Sequence, residues 1–191
     1  MLGQVGSVLA EGRHSHMKKL FPKGDESMVK VIGRLACMGV VFSNSATGAE
    51  PPPTLEFAFE ERVTLQPAVV LGDTALGHRQ YIAITGGTVT GPKLKGKVLP
   101  GGHDFQLTYS ASDCTLLSAD YFLKADDGTV IHVFNEGLAC PDAPRAIFRP
   151  RLEAPRGAHG WMTQATFVAT LELDGTPPNV EAVRIRFYTV K

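Results

Sequence analysis

The sequence lacks an excess of charge of either sign. Its 191 residues include 19 lysines and arginines and 19 aspartates and glutamates, so the formal net charge is zero. A nucleic-acid-binding surface normally carries a basic excess or a basic stripe. Basic residues cluster only within the first 34 positions, where they fit the leader segment described below. We therefore expect no nucleic-acid partner.

Motifs for cofactors, metals and nucleophilic catalysis are missing as well. The glycines form neither a Gly-Lys-Ser/Thr nor a GxGxxG motif, so no phosphate-binding loop is indicated. There is no Cys-x-x-Cys pair, and the histidines at 78, 103, 132 and 159 lack the spacing of metal ligands. No nucleophile stands in a recognisable pattern with a base. We predict no metal and no cofactor, and hydrolysis by a catalytic triad is disfavoured.

A sustained helical period is also absent, and short alternating segments take its place. Near the start of the folded region, Leu55, Phe57 and Phe59 alternate with Glu56 and Glu60, as in a half-buried strand. Similar segments cover residues 79–84, 105–109, 117–125, 129–135, 146–152, 162–173 and 180–190. Residues 67–77 are predicted to form a loop. Roughly eight to ten short strands with regular turns are typical of an all-β barrel or sandwich.

Polar residues on both faces of several strands favour the barrel. In one strand Ser118, Asp120 and Lys124 accompany Tyr121; a partly polar barrel interior would explain this, and so would the edge strands of a sandwich. An Asp-Gly pair at 127–128, between two alternating runs, predicts a β-hairpin. The predicted fold is a single antiparallel β-barrel domain over residues 54–191, preceded by a Pro-rich linker at 50–53.

The segment from residue 85 to residue 104 is rich in glycine and proline. It contains six glycines and two prolines between two strand-like runs. Glycine is favoured where a chain bends sharply or where another backbone approaches closely. We expect both features here.

Five spaced motifs resemble a known family. They are ITGGT (84–88), GPKLKG (91–96), PGGHDF (100–105), ADDG (125–128) and FRPRLEAP (148–155), with Trp161 beyond them. Over residues 55–190 the chain is similar to a family of small β-barrel proteins known only as a domain of unknown function. The resemblance implies an antiparallel barrel and no settled activity. The chain departs from the family pattern at Phe105 and Asp120, where tryptophan and arginine are common.

Residues 1–49 have the pattern of a leader. Lys18, Lys19 and Arg34 are among the basic residues that precede a short apolar run at 35–42, and small residues follow up to Ala49. This three-part order is typical of a secretory signal and too short for a membrane span. We expect export to the periplasm or the outside of the cell. The alternative is a disordered tail on a cytoplasmic protein.

Three cysteines are present. If the leader is cleaved, Cys37 leaves with it, and Cys114 and Cys140 remain as an even pair in an oxidising compartment. They would form either a disulfide or two free buried thiols. The sequence does not choose between these, and it does not indicate an oligomeric state.

Candidate site residues come from the strands and bends. Asp104 follows a glycine pair and is predicted to be a base or ligand anchor at a barrel mouth, or else a turn aspartate that accepts backbone N–H bonds. His103 is a second candidate base, although adjacent residues on a strand point to opposite faces. Arg149 and Arg79 could bind a carboxylate or enolate, and Trp161 could stack on a ligand. For Arg149 the alternative is an ion pair with Glu136 or Glu153.

These residues lead to two main hypotheses for the function. The first is a small-molecule-binding barrel with its ligand at one end, contacted by Arg149, Arg79, Trp161 and Asp104. The second is an enzyme on the same barrel that performs proton transfer or cyclisation on a small organic acid or aromatic compound. Asp104 or His103 would then be the base and Arg149 the oxyanion partner. A purely structural or interaction role is a third possibility.

Overall fold

A computed structural model describes residues 50–176 and 179–191 of the protein. The predicted leader at 1–49 therefore lies outside the described residues. The elements are β1 (Leu55–Leu65), β2 (Val69–Thr74), β3 (Gly77–Thr90), β4 (Gly96–Val98), β5 (His103–Thr108), β6 (Thr115–Ala125), β7 (Val130–Ala139), β8 (Ile147–Phe148), β9 (Arg151–Glu153), a 3₁₀ helix (Gly160–Thr163), β10 (Phe167–Thr176) and β11 (Asn179–Val190). The predicted all-β class is confirmed.

Eight of the strands close into an antiparallel barrel. Their hydrogen-bonded order is β1, β11, β10, β8, β7, β6, β5 and β3, and β3 pairs with β1 again. The other three lie outside this ring: β2 pairs with β3, β4 bridges β3 and β6, and β9 pairs with β7. The predicted antiparallel barrel is confirmed: eight strands close it, within the predicted eight to ten, and the described residues contain eleven strands in all.

The alternation of inward and outward positions along each strand determines which side chains fill the barrel. On β11, Val183, Ile185 and Phe187 are buried, as the pattern predicted, and the arginines between them point outward. Phe187 stacks on Phe59 of β1 with ring centroids 4.5 Å apart. Around these rings one end of the barrel is packed with apolar side chains, and the 3₁₀ helix contributes the fully buried Met162 to the same cluster. The opposite end is not filled in this way.

The glycine-rich stretch brings two strands together. At Gly87 φ is +147°, and a Cβ there would collide with the backbone carbonyl of Arg62 on β1. Only glycine tolerates both conditions. The predicted Asp-Gly hairpin joins β6 to β7: Gly128 has φ +89° and its N–H donates to the carbonyl of Ala125 at 2.9 Å.

Three predicted segments differ in the structure. Residues 67–77 were predicted to be a loop, but they contain β2, which pairs with the start of β3. The predicted strand 146–152 is two short strands, since Pro150 lies between them and proline cannot donate to a ladder. The predicted strand 162–173 begins only at Phe167, because residues 160–163 form the 3₁₀ helix.

Cys114 and Cys140 form a disulfide, with Cα atoms 4.2 Å apart. The bond ties the start of β6 to the end of β7, where Thr115 pairs with Ala139. Of the two alternatives for these cysteines, the structure contains the bonded pair. Within residues 50–176 and 179–191, no helix is both long and apolar enough to cross a bilayer.

Candidate functional site

The unfilled end of the barrel holds a cavity of about 370 Å³. Its wall is mainly apolar, with Leu65, Ile82, Leu117 and Leu171 among the side chains that line it. The inward positions of several strands contribute, because residues two apart on a strand share a face. The polar residues that also line the cavity are Gln66, Gln80, Asp104, Gln106, Tyr121 and Asn135. A concave, mostly apolar space with a few polar groups is typical of a small-molecule site.

A chain of hydrogen bonds runs along this wall to Asp104. Gln80 Nε2 donates to Gln106 Oε1 at 2.7 Å, and Gln106 Nε2 donates to Asp104 Oδ2 at 2.7 Å. The backbone N–H of Ser118 donates to the other carboxyl oxygen, Oδ1, at 3.0 Å. Asp104 is thereby fixed in one orientation on β5. Fixed polar groups of this kind are what a proton-transfer site requires.

The surroundings of Asp104 make its carboxyl a weaker acid than an exposed aspartate. Burial raises the pKa of the Asp104 carboxyl, and the hydrogen bonds from Gln106 and from the Ser118 N–H only partly oppose this effect. A raised pKa makes a carboxyl better suited to hold and donate a proton than an exposed aspartate is. Asp104 is thus a candidate general acid as well as a candidate base.

A second carboxyl is buried deeper in the barrel. Glu61 of β1 has no exposed surface, and the hydroxyl of Tyr121 donates to its Oε2 at 2.6 Å. Burial raises the pKa of Glu61 to about 8, although the Tyr121 hydrogen bond lowers it somewhat. Burial also raises the pKa of Tyr121, with a further contribution from the negative charge of Glu61. Both groups are therefore neutral through most of the physiological range.

The structure places the two predicted bases on opposite faces. Asp104 faces the cavity, whereas the His103 ring lies on the other face of β5, 5.6 Å from Tyr81 and 5.8 Å from Phe105. His103 does not reach the cavity. Arg79 also points outward, because its neighbour Gln80 faces the cavity and alternate residues change sides.

Arg149 and Trp161 lie outside the cavity. Arg149 is 80% exposed, with its NH2 group 3.9 Å from Glu136, so the ion-pair alternative describes its position. Its neighbour Phe148 points inward, which turns Arg149 outward. Trp161 packs against Phe167 at the apolar end, 5.9 Å between ring centroids, beside an open surface depression with Lys93. Of the four residues predicted to contact one ligand, Arg149, Arg79, Trp161 and Asp104, only Asp104 lines this cavity.

Two buried polar residues of the barrel interior, Glu61 and Asn135, were not singled out from the sequence, and only Asn135 lines the cavity. Glu61 continues the inward series of Phe59 and Val63 on β1, so a charged residue on an apolar face was the available signal. Asn135 likewise interrupts the inward series that contains Ile131 and Val133 on β7. Both residues carry a buried oxygen without a hydrogen-bond partner, Glu61 Oε1 and Asn135 Oδ1.

Metal binding has no support among the described residues. Over residues 50–176 and 179–191, no group of three or more His, Cys, Asp or Glu side chains converges as metal ligands would. His132 lies 2.7 Å from Asp120 and 4.0 Å from Glu153, and His159 lies 3.0 Å from Asp127; these are ion-pair contacts outside the cavity. The chemistry available in the cavity is proton transfer and hydrogen bonding in an apolar setting.

Comparisons with known proteins agree with this architecture. A family model described as "Protein of unknown function (DUF3237)" matches residues 53–190. A UPF0311 protein of Rhodopseudomonas palustris is 34% identical over 136 residues, which cover 62% of this chain and 88% of that protein. A crystal structure of a beta-barrel like protein from Acinetobacter baumannii superimposes with a TM-score of 0.66 at 28% identity, covering 74% of this chain and 98% of that one.

One relative carries the name of an activity. The protein named hydroalkoxylation enzyme phnH, from Penicillium herquei, is 29% identical over 149 residues. The match covers 77% of this chain and 90% of that protein. The similarity therefore spans the whole barrel rather than one motif.

Proposed function

The chain belongs to the family described as "Protein of unknown function (DUF3237)", and we propose that its barrel binds a small, largely apolar molecule and transfers a proton to or from it through Asp104. The observation that carries the proposal is the position of this carboxyl. It faces an apolar cavity, it is held by Gln106 and by the Ser118 N–H, and burial raises its pKa. A surface carboxyl with a structural role would need none of these features.

The size of the cavity limits the ligand. A volume of about 370 Å³ is near the lower end of the range for small-molecule sites. It suits a compound of one or two rings with a short side chain. The apolar wall favours a ligand with few polar groups, since each polar group that enters must find a hydrogen-bond partner.

A narrower reaction is supported by the relative named as a hydroalkoxylation enzyme. Hydroalkoxylation adds the O–H of an alcohol or phenol across a C=C bond. In its protonated form the Asp104 carboxyl would donate a proton to one alkene carbon, the substrate oxygen would bond to the other carbon, and the hydroxyl proton would return to the carboxylate. The product is an isomer of the substrate, so no oxidant, reductant or cofactor is consumed.

The test uses 2-(3-methylbut-2-enyl)phenol in deuterated buffer. Proton transfer from Asp104 predicts 2,2-dimethylchroman with one non-exchangeable deuterium, seen by mass spectrometry as a gain of one mass unit. Asp104→Asn should lower the rate by at least about 100-fold, since general acid catalysis contributes roughly that much or more. Binding of the phenol, measured by calorimetry, should change much less.

The matched control is Asp120→Asn. Asp120 is an aspartate on the neighbouring strand β6 whose side chain lies on the outer face beside His132, so its loss should leave both binding and turnover unchanged. Equal turnover in Asp104→Asn and the unsubstituted protein would reject the catalytic role of Asp104. Binding without turnover in the unsubstituted protein would leave a binding protein and reject this substrate class.

We further propose that the protein acts after export, in an oxidising compartment. The disulfide between Cys114 and Cys140 supports this location, because such bonds persist mainly outside the reducing cytosol. The intact mass of the protein from its own host tests it. A mass that lacks about the first 49 residues is expected, and a full-length chain in the cytosolic fraction would contradict the proposal.

A further inference from the structure

Asn135 lines the cavity and carries a hydrogen-bond acceptor that has no partner. The residue is only 1% exposed, and the unpaired acceptor is its Oδ1. A buried polar atom left unpaired destabilises the folded protein. On a side chain that lines a cavity, such an atom points to a partner that arrives with the ligand.

The strand register places Asn135 in the same row as Asp104. Asp104 of β5 pairs with Ala119 of β6, and Ala119 pairs with Asn135 of β7. Neighbouring strands are about 4.8 Å apart, so the backbones of Asp104 and Asn135 are separated by roughly 10 Å. The methyl group of Ala119 fills little of the space between them. Together these residues form a slot with the Asp104 carboxyl on one side, the Asn135 amide on the other side and the small Ala119 side chain as its floor.

We infer that Asn135 Oδ1 accepts a hydrogen bond from a hydroxyl group of the ligand, so that the ligand is a phenol, enol or alcohol rather than a hydrocarbon or an ether. The inference rests on the proposed function, because it requires the cavity to hold a ligand. In this arrangement Asn135 recognises the hydroxyl group of the ligand. The ligand atom that exchanges a proton lies at the opposite side of the slot, next to Asp104.

The charge of the cavity selects a neutral donor. An ammonium group could also donate to Asn135, but it would need an ionised counterion in this apolar space. Within the described parts of the chain, Asp104 is the only aspartate or glutamate that lines the cavity, and burial raises its pKa. A neutral hydroxyl satisfies the amide oxygen without that requirement.

The test compares three probes of nearly equal shape by calorimetry: 2-naphthol, naphthalene and 2-methoxynaphthalene. Only 2-naphthol can donate a hydrogen bond, whereas 2-methoxynaphthalene keeps the oxygen as an acceptor. The unsubstituted protein should bind 2-naphthol about tenfold more tightly than either of the others. This comparison needs no variant, so it holds even where a substitution harms folding.

Asn135→Leu, which nearly preserves the side-chain volume, should lower the affinity for 2-naphthol by about tenfold and leave that for naphthalene equal or tighter. Glu136→Gln is the control, because Glu136 is the next residue on β7 and lies on the outer face beside Arg149. Thermal melting of each variant checks that the barrel is folded.

The outcomes separate this inference from the proposed function. Equal affinity of the unsubstituted protein for all three probes would overturn the role of Asn135 and keep the cavity as a ligand site. Tighter binding of 2-methoxynaphthalene would mean that the amide donates rather than accepts, which also overturns the inference. Absence of binding by any probe at millimolar concentration would contradict the proposed function itself.

Discussion

The hydroxyl of Tyr121 reaches across the barrel interior from β6 to donate to Glu61 Oε2 on β1, at 2.6 Å. Both side chains are almost completely buried, so the pair is removed from bulk water. Burial raises the pKa of Glu61 to about 8. The carboxyl therefore holds its proton at pH values where an exposed glutamate has lost it.

This pair predicts a stability that falls as the pH rises. Between the ordinary glutamate pKa of 4.5 and the folded value of about 8, the folded protein binds more protons than the unfolded chain. The free energy of unfolding therefore decreases with pH through this window and levels off above it. We expect a loss on the order of 3 kcal/mol between pH 5 and pH 8, measured by urea denaturation.

Glu61→Gln should remove most of this pH dependence, because glutamine does not titrate. Asp104 has a raised pKa and contributes with the same sign, so the difference between the two proteins is the diagnostic quantity. Glu60→Gln is the control: Glu60 pairs with Arg186 on the outer face, and its loss should preserve the slope. Identical slopes for Glu61→Gln and the unsubstituted protein would contradict the account.

The disulfide between Cys114 and Cys140 should contribute to the stability of the barrel. It closes a sequence separation of 26 residues, and loss of such a bond costs about 2–4 kcal/mol. The double variant Cys114→Ser, Cys140→Ser should therefore melt at a lower temperature than the parent protein. Dithiothreitol should lower the melting temperature of the parent and leave that of the variant unchanged; an equal response of both would be inconsistent with the bond.

Gly102 is a position where a methyl group should not fit. A Cβ there would collide with Tyr121 Cβ and lie 2.8 Å from the Asp120 carbonyl oxygen. Gly102→Ala should reduce the free energy of unfolding by about 1–3 kcal/mol, since overpacking forces the strands apart. At Gly160 the nearest atom, Pro155 O, would be 3.3 Å away, so Gly160→Ala should stay within about 1 kcal/mol. Denaturant titration of both variants tests the contrast.

Local patterns in the sequence predicted much of the fold. The alternation of Val183, Ile185 and Phe187 defined a buried face, and the Asp-Gly pair before β7 defined a hairpin. These features depend on neighbouring residues, which the sequence displays directly. Short elements were harder, because β8 and β9 have only two and three residues and are formed by their pairing with β7 rather than by any pattern of their own.

The candidate site was only partly predictable. Asp104 was identified because it follows a glycine pair at a strand start, and it faces the cavity. Arg149 was predicted to contact the ligand, but the structure turns Phe148 inward and therefore places Arg149 on the outer face of the same strand region. The row of Asp104, Ala119 and Asn135 depends on the register of three strands, which the order of residues along the chain does not reveal.

The most direct test of the central claim is to fill the cavity and measure ligand binding. Ala119→Leu adds three carbon atoms to the floor of the slot between Asp104 and Asn135. Ala83→Leu makes the same change on the outer face of β3, where Ala83 pairs with His103. If the cavity is the ligand site, the affinity for 2-naphthol, measured by calorimetry, should fall by more than about tenfold in Ala119→Leu and stay unchanged in Ala83→Leu, with both proteins folded. Unchanged affinity in a folded Ala119→Leu protein would contradict the claim that the ligand binds inside the barrel.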